Sequence, residues 1–220
     1  MFERLDARDF EGVFRLMTES FPADEYRARE GQRALLDKPS YRLYGLRGEN
    51  RISAFAAVWT LPDALFIEHL AVDPALRNAG LGGRLLDEVT NITQTPAVLE
   101  VEPPRTDIAR RRIGFYQRHG FHLNDYDYVQ PALRAQDTPV PLLLMTAGRT
   151  LNRAEFERVR RDIHTLAYGL ENRSHEGIKA YSKADSQPDA RTRFCILIYS
   201  RTRMASNSKP PCPRDTMLNV

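Results

Sequence analysis

Along this chain the spacing of apolar residues alternates between a period near two and one near 3.6, the signatures of strands and of amphipathic helices. FERL near the N-terminus predicts a short strand. Phe10, Val13, Phe14 and Met17 then recur at helical spacing, with Asp9 the expected N-cap. A second amphipathic segment runs from Pro22 to Asp37. YRLYGLRGENRISAFAAVWT predicts two strands joined by a turn at Gly48-Glu49-Asn50, and ALFIEHLAV predicts the next, so the first part of the sheet is expected to be antiparallel. Leu81, Leu85, Leu86 and Val89 describe a helix, AVLEVE a strand, and Asp107 to His119 a helix ended by Gly120. FHLNDYDYV and PLLLMT read as one strand each, and Phe156, Val159, Ile163 and Leu166 as one stripe of a helix from Arg153 to Tyr168. This alternation predicts an α/β or mixed α+β domain over residues 1–169, a central sheet with flanking helices.

Beyond Tyr168 the periodicity fades into polar residues, one apolar run (FCILIY) and a Pro-rich end (KPPCP), so residues 170–220 read as an extension without a core of its own. Charge follows the same division. That stretch holds nine Lys and Arg against five Asp and Glu, a surplus of +4, and since the whole chain carries +3, residues 1–169 carry −1. A nearly neutral body argues against nucleic-acid binding, which needs a dense basic face. No window approaches the roughly 20 apolar residues of a membrane span. A cytoplasmic protein without a membrane partner is expected, and a homodimer is compatible with the sequence. Cys195 and Cys212 are the only cysteines, and His119, His122 and His164 lack metal spacing with acids, so neither a disulfide framework nor a metal is expected.

The informative passage is EHLAVDPALRNAGLGGRLL, Glu68 to Leu86, which leaves an apolar strand, crosses a polar loop and enters a helix through Gly80, Gly82 and Gly83. Glycines there let backbone N–H groups approach an anion, and the helix adds the positive end of its dipole. A dinucleotide fingerprint fits poorly, because Leu85 stands at the third glycine position and seven residues separate the strand from Gly80. A Walker loop is excluded because no Gly-Lys-Ser/Thr occurs.

Arg77-Asn78-Ala79-Gly80-Leu81-Gly82 instead resembles the acyl-CoA signature R-x-x-G-x-G of the GNAT superfamily of N-acetyltransferases. A second segment, Phe115-Tyr116-Gln117-Arg118-His119-Gly120-Phe121, resembles that family's F-Y-x-x-x-G-F. The chain departs from the family at Ala109, where many members carry Asn early in the second helix. The resemblance implies a mixed, mostly antiparallel twisted sheet and transfer of acetyl from acetyl-CoA to a primary amine of a small molecule or protein. An acyl-CoA sensor without catalysis is the alternative. Coenzyme A would lie against Leu70, Ala71, Val72, Arg77, Asn78, Ala79, Gly80, Leu81, Gly82 and Gly83. Its pantetheine arm would pair with the LAV backbone as an added strand would, and N–H groups of that backbone could polarise the thioester carbonyl.

Attack on a thioester needs a neutral amine, and the departing thiolate benefits from a proton donor. The resemblance suggests Glu68 as general base and Tyr116 as general acid. Strict strand alternation would put His69 on the face opposite Glu68, leaving it the reserve base. Glu100 and Glu102 flank Val101 on the strand expected to splay from 65–72, where a solvated or Arg-paired role is expected for both. DYDY at 125–128 could attract a cationic amine or simply alternate on a hairpin.

Overall fold

A computed structural model of the chain describes residues 2–48, 51–77, 79–134 and 137–170. Glu49 and Asn50 of the first turn, Asn78 of the glycine passage, and nearly all of the 170–220 extension with its FCILIY run lie outside these residues. Eight strands form one mixed sheet: β1 (Glu3–Leu5), β2 (Tyr41–Arg47), β3 (Ile52–Thr60), β4 (Leu65–Val72), β5 (Ala97–Val101), β6 (Phe121–Leu123), β7 (Tyr128–Gln130) and β8 (Val140–Ala147). Their order is β1-β2-β3-β4-β5-β8-β6, with β7 also on β8. Every pairing is antiparallel except β4 with β5.

The helices are α1 (Phe10–Ser20), α2 (Arg29–Ala34), α3 (Leu81–Thr90), α4 (Asp107–Arg118) and α5 (Arg153–Asp162). α3 and α4 share one face of the sheet, where Gly83 lets the His119 ring approach: a Cβ there would lie 2.7 Å from His119 Cε1. α1 and α5 lie on the other face. Each apolar stripe is buried: Val13, Leu16 and Met17 on α1, Leu85, Leu86 and Val89 on α3, and Phe156 and Val159 on α5.

Four local expectations are corrected. Asp9 stands at the N-cap position of α1 as expected, but its side chain makes no cap bond; its carboxylate accepts from the Asp6 N–H at 2.8 Å and from both Arg47 Nε and Nη2, at 2.8 and 2.6 Å. The Pro22–Asp37 segment is broken into 3-10 turns at Ala23–Glu25 and Leu35–Asp37 around the short α2. FHLNDYDYV is not one strand but β6 and β7, lying end to end along β8. Asn124 makes the break: its amide donates to Leu144 O (3.1 Å) and Thr146 Oγ1 (2.8 Å), while its Oδ1 accepts from the Leu151 N–H (2.7 Å). Finally, α5 ends in a π turn at Ile163–Ala167, so that Leu166 leaves the apolar stripe at 37% exposure and Ala167 enters it at 4%.

Asn124 is itself buried, so removing its side chain orphans a buried N–H as well as losing its bonds. Asn124→Ala is expected to lower the unfolding free energy by about 2–4 kcal/mol, read from urea denaturation. A loss below about 1 kcal/mol would show that water replaces these bonds.

Candidate active site

The site is an opening in the sheet. β4 and β5 are paired only at Leu65–Ala97, Phe66–Val98 and Ile67–Leu99. Beyond that point β4 continues to Val72 on β3 alone, and β5 to Val101 on β8 alone. The strands separate where β4 carries a bulge: Ala57 pairs with His69 and Val58 with Ile67, leaving Glu68 as the extra residue. A bulge bends its strand, increases the local twist and re-aims a side chain. Glu68 shows this: the residue is partly exposed, yet its side chain is only 2% exposed, so the exposed part is main chain. From there the edge of β4 facing the gap, through Leu70, Ala71 and Val72, has no strand partner among the described residues.

That edge leads through Asp73 and a 3-10 turn at Pro74–Leu76 to the start of α3. Asp73 caps the turn by accepting from the Ala75 N–H at 2.9 Å. Gly80 precedes α3 in left-handed conformation (φ 72°), with nothing within 4 Å of where a Cβ would stand. It offers no side-chain cap, and the bond from the Arg84 N–H to Gly80 O (3.1 Å) closes the first turn. The N–H groups of Leu81, Gly82 and Gly83 therefore belong to the turn whose donors have no intrahelical acceptor. Beside them Arg77 Nε and Nη2 are buried without a hydrogen-bond partner among the described residues. Burial lowers the pKa of this guanidinium, opposed only by the charge of Asp73. A desolvated cation next to an uncapped helix start fits a diphosphate, so the residues present suit the group that the sequence implied. Gly82 and Gly83 are buried in this turn, and Gly83 also serves the α3–α4 contact. Tyr116 is fully buried on α4, its ring 5.3 Å from Phe115 and 5.8 Å from Phe121.

At the apex of the opening the structure assembles carboxylates that the sequence could not partner. Arg27 Nη1 donates to Glu68 Oε1 at 2.7 Å, and Trp59 Nε1 donates to Glu68 Oε2 at 2.9 Å. Burial would raise the Glu68 pKa, but the Arg27 charge and the indole N–H outweigh it and hold the carboxyl below its usual range. His69 does not point away: the bulge brings its Nδ1 to 3.8 Å from Glu68 Oε2, while Nε2 bonds to Glu25 O at 2.9 Å. Burial pushes its pKa down, against the Glu68 charge, which pushes it up, and Nε2 carries the proton that faces the Glu25 carbonyl.

Glu100 is neither solvated nor paired with arginine. Register explains its neighbours: Phe66 pairs with Val98, Glu100 with Leu144 and Tyr128 with Leu142, so Phe66, Glu100 and Tyr128 share one face. The Tyr128 hydroxyl donates to Glu100 Oε1, and the Tyr168 hydroxyl donates to Oε2 at 2.7 Å. Burial raises the Glu100 pKa to about 7, and the two hydroxyls restrain the rise. Glu102 is the arginine-paired acid, accepting from Arg112 Nη1 at 2.8 Å. Sequence reasoning thus missed Arg27, Trp59 and Tyr168. The chain's single tryptophan on a strand was a usable signal for one of them, whereas the other two act across 41 and 68 residues and left none.

Comparison with known proteins bears on the family and the fold. The family model described as an acetyltransferase (GNAT) domain matches residues 39–123, from just before β2 to the end of β6. A Bacteroides thetaiotaomicron structure described as a candidate GNAT-family acetyltransferase is 35% identical, covers 78% of this chain and 99% of its own, and superposes with a TM-score of 0.70. The chain belongs to the GNAT family. This acetyltransferase is also 26% identical over 172 residues to YjbC of Bacillus subtilis (strain 168), named as a candidate acetyltransferase, covering 77% of this chain and 87% of that one. The Escherichia coli ribosomal-protein-S18-alanine N-acetyltransferase shares the fold, with TM-score 0.52 at 18% identity over 69% of this chain and 95% of its own. GNAT acetyltransferases generally take acetyl from acetyl-CoA for an acceptor substrate. Among the described residues no helix is long and apolar enough to cross a membrane, and no group of three or more His, Cys, Asp or Glu is placed to hold a metal.

Glu100 has a consequence for stability. Its folded pKa lies above the ordinary 4.5, so the folded protein holds a proton that the unfolded chain has lost between pH 4.5 and 7. Its contribution is fully present below pH 4.5 and is lost as pH rises through 7. Relative to wild type, Glu100→Gln is expected to gain roughly 2–3 kcal/mol across that window, read from urea unfolding at a series of pH values. A constant difference between the two proteins would refute the raised pKa.

Proposed function

We propose that this acetyltransferase moves acetyl from acetyl-CoA directly to a primary amine, with Glu100 as general base and Tyr116 as general acid. The observation that carries the reading is the unpaired edge of β4 running from the bulge at Glu68 to the loop of Arg77 and the uncapped start of α3. When bound, acetyl-CoA supplies the activated acetyl group. The N–H groups of Leu81, Gly82 and Gly83 and the Arg77 guanidinium would hold its diphosphate, with Asn78, Ala79 and Gly80 forming the loop around it. The free edge of Leu70, Ala71 and Val72 would pair with the pantetheine amides.

The base is assigned to Glu100 rather than to Glu68 because of what each carboxylate does in the apex. Glu68 has one oxygen on a guanidinium and the other on an indole N–H, both of which favour its anion and weaken it as a proton acceptor. Its role in this reading is to anchor Arg27. Glu100 has only phenol donors and a pKa about 7, which suits a base working near neutral pH. Glu100 Oε1 or Oε2 would take the proton of the acceptor ammonium, and the Tyr116 hydroxyl would supply one to the leaving thiol.

Acetyl-CoA at a hundredfold excess over Kd should stabilise the protein by about 2.7 kcal/mol. Arg77→Met should weaken that binding by about tenfold, as expected for a lost charge-assisted bond, measured by calorimetry. Unchanged affinity would remove Arg77 from the site. In a thiol-release screen over an amine library, Glu100→Gln should lower turnover by about 10²-fold or more near pH 7. Turnover equal to wild type would return the base role to Glu68 or His69. Tight binding without thiol release for any amine would make the protein an acyl-CoA-binding module.

A further inference from the structure

Helix α5 ends one residue out of step with its own apolar stripe. At the π turn the Tyr168 N–H bonds to Ile163 O at 3.2 Å, five residues back, where a regular α turn would reach back four. The inserted residue turns everything after it by about 100°. π turns of this kind occur mostly as single insertions, often at functional sites. Here the last residue of the turn and the one that follows it each hold one side of the apex. Ala167 O accepts from Arg27 Nη2 at 2.6 Å, and the same guanidinium holds Glu68. The Tyr168 hydroxyl donates to Glu100 Oε2 and accepts from Gln130 Nε2 at 3.0 Å. The Tyr168 ring is edge-on to Phe66 at 6.3 Å, with the Arg27 guanidinium 5.9 Å over its face.

Building on the reading of Glu100 as base, we infer that the π turn is a positioning device for the reaction: Ala167 fixes Glu68 through Arg27, and Tyr168 fixes the orientation and ionised form of Glu100. Tyr168 is a positioning residue and does not itself meet the acceptor. The groups facing Glu100 are Tyr128 from β7, Tyr168 from the turn, Glu68 from β4 and Arg27 from the segment before α2. Farther out, the His164 ring lies 5.5 Å from that of Tyr128, and Arg160 of α5 acts on Tyr128. Tyr128 and Tyr168 supply the hydrogen bonds to Glu100 among the described residues. Gln130 orders Tyr168 in turn, since its amide takes up the hydroxyl's acceptor side and leaves the O–H directed at the carboxylate.

The test is a carboxyl-carbon NMR titration of full-length protein labelled at glutamate Cδ, comparing wild type, Tyr168→Phe and Glu100→Gln, with urea midpoints measured in parallel. The resonance missing from Glu100→Gln identifies Glu100. Its titration should lie near 7 in the wild type and about one unit higher in Tyr168→Phe, because a donor to the ionised form has been removed. The urea midpoint should change no more than that titration shift implies at each pH, since the ring remains. An unmoved titration, or a lowered urea midpoint without a titration shift, would make Tyr168 a packing residue and overturn the inference. Wild-type thiol release by Glu100→Gln would instead overturn the base assignment, and with it the catalytic meaning of the turn, whatever the titration shows.

Discussion

The structure depends on one irregular pairing, the extra residue that β4 carries at Glu68. A sheet of evenly paired strands offers no free backbone in its middle and no room beside it. Inserting a residue at the centre of β4 keeps the strand hydrogen-bonded to β3 on one side while it parts from β5 on the other. The parting leaves the β4 edge through Leu70, Ala71 and Val72 without a strand partner among the described residues, in a strand that is otherwise buried. Main-chain groups on such an edge need partners, which an extended, amide-bearing ligand would supply. The uncapped start of α3 follows the same strand through one loop, so one local fault in the ladder and that loop make the two halves of the proposed cofactor site.

The apex of that gap shows how a protein keeps acids inside a core. Glu68 and Glu100 act on each other electrostatically, and two adjacent buried anions would be costly. The chain resolves this asymmetrically. It gives one carboxylate a cation and an indole donor, which keep it charged, and gives the other two phenols, which leave its charge close to balance at neutral pH. Two residues of the same type, on neighbouring strands, become chemically different through partners drawn from β3, β7, the segment after α1 and the end of α5.

Much of this was legible beforehand. The order of strands and helices along the chain and the glycine-led start of α3 follow from local periodicity and turn chemistry, and the family was readable from two short motifs, which carried with them the expected opening between the fourth and fifth strands. What could not be read depended on distant partners. Asn124 divides a strand because of bonds to residues 20, 22 and 27 positions away. Asp9 leaves its cap for an arginine 38 residues on. The bulge defeated strict alternation, which is why His69 was expected opposite Glu68 and is found beside it. Glu68 was picked out by its place on a strand together with the family resemblance, whereas the different partners of Glu68 and Glu100 are a tertiary property with no signature in either neighbourhood.

The bond from Arg27 to Ala167 joins residues 140 positions apart. A chain growing from the ribosome can form β1 to β5 and the α3 turn, and so most of the diphosphate cradle, long before its apex has Arg27's second anchor or Tyr168. Contacts of such long sequence separation are the slowest to close in folding. The acids at the fork of the sheet therefore gain their full set of partners last: they remain unfinished until α5 and its π turn have been made and docked, and any truncation before residue 167 leaves them so.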